Sequence, residues 1–274
     1  MDERMLDLPP VSGVITLLTD FGLSDPFVGV MTGVILSGFA EARVVDLCHG
    51  LRPQAIAEAS FWLERCYAWF PRGTLHVVVV DPGVGSARRV LAAALGGHYF
   101  LLPDNGLLGA GLLASAGARV LEVELSRFSL PPASATFHGR DVFAPLAARL
   151  ASGQLPFETL GKPVEPVPSV LPQPRYEPGL AVGEVITVDR FGNLLTNLDE
   201  VLARRLGGGR AFVAGRSVPW RRTYADAAPG ELLALINAFG VLEIAERDGN
   251  AERTLGVTRG AAVELRPAPG TPAA

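Results

Sequence analysis

The chain reads as a two-domain α/β protein. An N-terminal domain holds a mostly parallel or mixed sheet with flanking helices, and a smaller C-terminal domain is an all-β barrel. Three observations carry this. Apolar strand runs alternate with helical stripes through the first 160 residues. A stretch with six prolines, KPVEPVPSVLPQPRYEP at 162–178, then breaks the pattern. After it come only short β runs separated by turn signals.

Residues 1–12 are acidic and then Pro-rich, and read as a disordered N-terminus ahead of an α/β domain over 13–161. VITLLT at 14–19 is apolar throughout, as a buried strand is. Phe27, Val30, Met31, Val34 and Ile35 form a helical stripe across 25–38. RVVDL at 43–47 is the second strand. The next helix opens near Pro53, where a missing N–H costs little, and turns Ile56, Ala59, Ser60, Leu63 and Tyr67 inward. TLHVVVV at 74–80 is apolar without alternation, which suits a sheet covered on both faces. Strands near 90–95 and 98–102 flank the Gly96–Gly97 turn as a hairpin. A strand at 119–124 and a helix at about 140–152 complete the domain. Proline fits neither a helix interior nor a central strand, so 162–178 is a stiff, extended linker. The barrel domain, 179–267, has β runs at 181–189, 193–198, 210–214, 217–220, 231–236 and 241–246, with a hairpin loop at 207–209. Residues 268–274 are a frayed tail.

Composition narrows the function. Hydrophobic residues are 49% and charged residues 19% of 274, enough for a sizeable core. A net charge of −4 without a long basic run argues against nucleic acid as a partner. No apolar run is long enough for a membrane span, and no signal peptide is read at the N-terminus. Cys48 and Cys66 form no CxxC pair and read as buried free thiols, which suits a reducing cytoplasm.

Charge and glycine concentrate at a few turns. VVDPGVGSARR at 79–89 and FHGRD at 137–141 place Asp81, Arg88 and His138 on two turns that follow apolar strands. Such a set can hold and polarise one water molecule beside a substrate. The first string is neither a dinucleotide fingerprint nor a P-loop, and no HxxxH or paired Cys supports a metal. Its alternative is a Pro-Gly turn with solvated arginines, and His138 alone reads as a loop residue. In TDFGLSD at 19–25, Asp20 could accept from a ribose diol, or Asp20 or Ser24 could cap the following helix. PDNG at 103–106 is a turn by its chemistry. VDRFGNLLTN at 188–197 gathers Asp189, Asn193 and Asn197 near one strand end, and Tyr224 and Phe239 offer faces for a base.

Seven strings in order cover nearly the whole chain: TDFG-x-x-D, PQ at 53–54, VVDPGVG-x-x-RR, PDNGLL, TFHGRD-x-FAP, FGN-x-x-TN and LEIAE-x-x-GNA. Together they resemble the S-adenosyl-L-methionine (SAM) hydroxide adenosyltransferase family, which is related to the fluorinases and chlorinases. The resemblance implies a homotrimer with each SAM site between the N-terminal domain of one subunit and the C-terminal domain of the next. It implies the reaction of SAM with water to give adenosine and L-methionine, with SAM as substrate and no cofactor or metal. By motif position Asp81, Arg88 and His138 match the water-activating triad. Asp20 would hold the ribose, Gln54 line the pocket, Asp189 meet the methionine amine and Asn193 lie near the adenine. Tyr224 would stack on adenine, and backbone groups of Asn250 and Ala251 would read its edge. The family commonly has N-S-x-G where this chain has NAFG at 237–240, so Ala238 offers the methionine carboxylate only a backbone N–H. The alternatives are halide transfer to the same carbon and a non-enzymatic SAM or adenosine sensor. An Arg–His–Asp set suits halide poorly. Strand 74–80 also runs straight into the triad turn, without the extra loop that the halogenases carry.

Overall fold

The computed structural model describes residues 8–115, 117–130, 133–206 and 209–267. It divides into two compact units, Met1–Leu171 and Pro172–Ala274. The first contains β1 (Val14–Thr19), α1 (Phe27–Gly38), β2 (Arg43–Cys48), α2 (Ile56–Cys66), β3 (Leu75–Val79), β4 (Val90–Leu95), β5 (His98–Pro103), α3 (Ala110–Leu113), β6 (Arg119–Val123), α4 (Ala144–Ala151) and β7 (Gly161–Pro163). Their order in the sheet is β2-β1-β3-β5-β4-β6-β7. The first four of these are mutually parallel and the rest pair antiparallel, so the sheet is mixed, as expected.

Successive side chains of a strand point to opposite faces, and here both faces are covered. Val77 and Val79 join one core with Val28, Met31 and Ile35 of α1 and with α4. Val78 and Val80 join the other with Ala59 and Leu63 of α2. That division is why 74–80 carries no polar alternation. The chain passes from β1 out to β2 and then back across β1 to β3. The carboxyl ends of β1 and β3 therefore flank a topological switch point, the usual place for a ligand in an open α/β sheet.

Several local expectations change. Phe27 and Val30 are 42% and 38% exposed; the buried face of α1 is Val28, Met31 and Ile35, spaced 3 and 4 apart, which leaves Phe27 on the other side. Both cysteines are free but only half-buried. Burial and the neighbouring Cys48 raise the Cys66 thiol above its ordinary pKa. Residues 8–12 are held on the domain: Leu8 and Val11 pack on its core and the Tyr99 hydroxyl donates to the Pro9 carbonyl at 2.6 Å. Residues 1–7 and the tail 268–274 lie outside the described residues. The proline stretch does not hang free. Gly161–Pro163 pairs with β6 at the sheet edge, and the Val167 N–H donates to Asp104 at 2.8 Å.

The second unit contains β8 (Arg175–Glu177), β9 (Leu180–Val188), β10 (Leu194–Asp199), α5 (Glu200–Arg205), β11 (Arg210–Val213), β12 (Arg216–Pro219), β13 (Leu232–Ile236), β14 (Val241–Glu246), α6 (Ala251–Leu255) and β15 (Ala262–Arg266). The order β12-β11-β15-β9-β10-β14-β13 is closed by a bridge from Trp220, just after β12, to Ala234 in β13. This is the expected barrel, its interior filled by Val185, Leu194, Leu242, Ile244 and Val263 among others. The helices were not read from sequence. Each begins at a side-chain cap: Asp199 accepts from Leu202 N at 2.8 Å and Asn250 from Arg253 N at 2.8 Å. Gly207 and Gly208 lie outside the described residues, and the expected hairpin loop at 207–209 falls on them. Among the described residues no helix is long and apolar enough to cross a membrane.

Candidate active site

At the switch point lies a cavity of about 430 Å³, lined among others by Asp20, Phe27, Gln54, Asp81, Phe137 and His138. Asp81 stands two residues past the end of β3. Arg88 grips it with Nε at 2.8 and 2.9 Å from the two carboxylate oxygens, and its Nη2 also contacts Oδ2. The same Nη2 lies 2.9 Å from His138 Nδ1. The Arg88 and Asp81 side chains are 9% and 4% exposed, so the solvated-arginine alternative fails. Arg89 is also engaged, donating to Asp104 at 2.6 Å.

Arginine can only donate, so His138 Nδ1 must accept. A neutral His138 therefore carries its proton on Nε2. Burial, and next the Arg88 charge, push its pKa below the ordinary imidazole value, against the opposing pull of Asp81 and Asp141. Neutral is thus its resting form near pH 7.

The chain brings the two turns together by close backbone approach. Gly85 has φ +78, and a Cβ there would lie 2.3 Å from the carbonyl oxygen of Ala135 in the loop before His138. His138 itself sits at the start of a π-helical turn, Gly139–Phe143, which leads into α4. Asp141 braces that loop from below, accepting from Ser134 N at 2.8 Å. π-turns of this kind recur at functional sites.

Asp20 does not cap α1, whose N-terminus has no side-chain cap. Its Oδ2 accepts instead from Gln54 N at 2.7 Å, and Gln54 takes a left-handed φ of 65° to make that bond. Sequence reasoning missed what steadies Asp20. His49 Nδ1 bonds Thr19 Oγ1 at 2.9 Å and the His49 carbonyl accepts from Gly22 N at 2.8 Å, clamping the 19–22 turn from both sides. The signal was a histidine just past an apolar strand. Phe21, Phe27 and Phe137 meet edge to face at 5.3–6.1 Å and give the cavity an aromatic wall.

In the second unit a cavity of about 570 Å³ gathers Asp189, Asn193 and Tyr224 with the exposed Phe191. Asp189 Oδ1 accepts from the N–H groups of Phe191 and Asn193, both at 2.9 Å, and Oδ2 from Asn193 Nδ2 at 3.0 Å. Gly192 permits this turn to press on Asn250, 2.2 Å from where a Cβ would be. The Asn250 side chain is used as a helix cap, and Ala251 is fully buried. Ala238 is not brought to this cavity: it lines a separate one of about 660 Å³ with Asn237, Trp220 and Arg221. Asn197, singled out in the sequence, is structural, accepting from Glu184 N at 2.8 Å. Among the described residues no cluster of three or more His, Cys, Asp or Glu is placed to hold a metal ion.

Comparison with known proteins agrees across both units. Residues 15–161 match the profile of the SAM hydroxide adenosyltransferase N-terminal domain, and residues 183–264 that of its C-terminal domain. An (R)-S-adenosyl-L-methionine hydrolase of Thermus thermophilus is 42% identical over 258 residues, 92% of this chain and 98% of that protein. A fluorinase of Nocardia brasiliensis is more distant, 24% identical over 291 residues and covering 92% and 96%. A crystal structure of an uncharacterised conserved protein from Thermotoga maritima superposes with a TM-score of 0.85 at 35% identity, covering 92% of this chain and 99% of that one. The chain belongs to the SAM hydroxide adenosyltransferase family.

Proposed function

We propose that the protein is an enzyme that hydrolyses SAM, in the (R)-sulfonium form that the Thermus relative's name specifies, to adenosine and L-methionine. Water attacks C5′ of the ribose in line with the sulfonium. The O–C5′ bond forms, the C5′–S bond breaks, and its electron pair leaves on sulfur as the neutral thioether of methionine. The leaving group needs no acid. The difficulty is the nucleophile, because bulk water has a pKa of about 15.7.

The observation that carries this reading is Arg88 bridging Asp81 and His138 beside the cavity. Asp81 can accept a proton from the attacking water, and a neutral His138 can donate from Nε2 to the oxygen as hydroxide character develops. Arg88 keeps both in register and supplies a fixed positive charge. Alignment of oxygen, carbon and sulfur adds roughly 7–11 kcal/mol.

In this reading Asp20 receives the ribose diol on the acceptor positions that Gln54 leaves free. Tyr224 stacks on the adenine, with Asn193 and the backbone of Asn250–Ala251 at its edge. Asp189 meets the methionine amine and the Ala238 N–H the carboxylate. The finer parts of the proposal are a homotrimer with the site completed between subunits, metal-independent turnover and a cytoplasmic location. Sedimentation and dialysis against chelator test the first two.

The test is incubation of pure protein with SAM, with and without chloride or fluoride. Adenosine and methionine formed without halide support hydrolysis. A 5′-halogenated nucleoside formed only with halide would replace it by halide transfer, and tightly bound, intact SAM by a sensor.

A further inference from the structure

Glu243 is 3% exposed, yet no substrate contact in the proposed reaction uses it. It lies in β14 between Leu242 and Ile244, both in the barrel interior, so its side chain leaves the opposite face of the sheet. There it meets two donors. The Tyr224 hydroxyl donates to Oε1 at 2.5 Å, and Asn237 Nδ2 donates to Oε2 at 3.1 Å.

We propose that Glu243 is a positioning residue for SAM: one buried carboxylate locks the Tyr224 ring and the 237–240 turn to each other. The inference rests on the function proposed above and deepens it. An ionised carboxylate only accepts hydrogen bonds, so its neighbours have no choice of orientation. The Tyr224 hydroxyl must point at Glu243, which fixes the ring of the expected adenine platform. The Asn237 amide must present Nδ2, which turns Oδ1 toward the turn, where it accepts from Phe239 N at 2.9 Å and Val241 N at 3.4 Å. Gly240 N donates to the Asn237 carbonyl at 3.0 Å, and Ala238 N is in none of these bonds. The N–H groups of Asn237, Phe239, Gly240 and Val241 are thus all engaged around the turn, and the 238 N–H, with no serine hydroxyl beside it, is the donor the proposal offers the carboxylate. The other end of the Tyr224 segment is held by a capping box between Thr223 and Asp226. The electrostatics agree with a tight pair: burial and then Glu243 raise the Tyr224 pKa, and burial raises that of Glu243 against the pull of its two donors.

The experiment measures adenosine and L-methionine binding separately, by calorimetry on the full-length protein. Glu243→Leu should weaken both by roughly tenfold or more, the loss of a charged hydrogen-bond partner on each side. Glu243→Gln can donate to the Tyr224 oxygen while still accepting from Asn237, and should restore both to within about threefold of the parent. Tyr224→Phe should weaken adenosine by roughly fivefold and leave methionine unchanged. A Glu243→Leu protein with a cooperative melt and parental affinity for both ligands overturns the proposal. If that variant does not fold, Tyr224→Phe with parental adenosine affinity overturns it. A parent that binds neither ligand sinks the proposed function and this inference with it; a parent that binds both while the variants do too sinks only the role of Glu243.

Discussion

The two units use the same material, carboxylates that accept from nitrogen and oxygen donors, in opposite ways. In the first unit Asp81 is matched by a permanent cation, and that cation also takes His138, 50 residues further along. In the second unit Asp189, Glu243 and Glu246 accept mainly from neutral groups: the N–H groups of Phe191, Asn193 and Asn250, the Tyr224 and Thr254 hydroxyls and the Asn237 amide. An ionic cluster controls protons and developing charge. Neutral donors converging on carboxylates control the shape of turns. The difference supports the proposed division, with the bond-breaking step in the first unit and, apart from the Asp20 contact to ribose, recognition in the second.

The sharpest way to break that assignment is His138→Ala. Turnover should fall about a hundred- to ten-thousandfold while SAM affinity stays within about threefold. Equal losses in kcat and affinity would move His138 to the recognition side. Arg88→Met comes next, because it strands a carboxylate that is 4% exposed. An uncompensated buried charge costs roughly 3–5 kcal/mol, visible as a lower chemical-denaturation midpoint for the first unit. Tyr224→Ala, at a residue 44% exposed, should leave that midpoint in place. It should weaken adenosine by roughly five- to a hundredfold, the worth of one base–aromatic stack. Asp20→Ala should weaken adenosine by about tenfold, and unchanged affinity would remove the ribose contact from the account.

A separate effect, outside both cavities, concerns acid. His76 is fully buried beside His98, and burial first, then the charge of His98, lowers its pKa to about 3. The unfolded chain takes up this proton near pH 6.5, the folded one only near 3. Stability from this group is therefore complete above pH 6.5 and is lost as pH falls toward 3, by up to about 1.4 kcal/mol per pH unit. Glu243 has the opposite sign: its pKa is raised, so stability falls as pH rises through it. Thermal melts between pH 4 and 7 should show the acid limb in the parent and a flatter one in His76→Gln. An identical limb in both would place the acid sensitivity elsewhere.

How legible each part was follows from what one dimension can carry. Apolar runs such as 74–80 announce a doubly covered sheet because every residue of the run has a core to enter. The triad turns announce themselves because charge and glycine are rare beside such runs. The helices α5 and α6, six and five residues long, are too short for periodicity and depend on single caps. Phe27 fits a helical stripe yet faces the cavity, and nothing in its spacing separates the two. Glu243 occupies what alternation marks as a solvent position in LEIAE. The return of Tyr224 and Asn237, 19 and 6 residues earlier, brings its two donors to it. Gly85 shows the same limit: a Pro-Gly turn predicts flexible φ, but the backbone of Ala135 pressed against it belongs to another part of the chain.

The central claim is that the first cavity directs a water molecule to C5′ of SAM. A single-turnover reaction in ¹⁸O-labelled water, with the products resolved by mass spectrometry, tests it most directly. The account predicts one ¹⁸O in the 5′-hydroxyl of adenosine and none in methionine. Unlabelled adenosine, or a labelled product arising by cleavage at another sulfur–carbon bond, would contradict it.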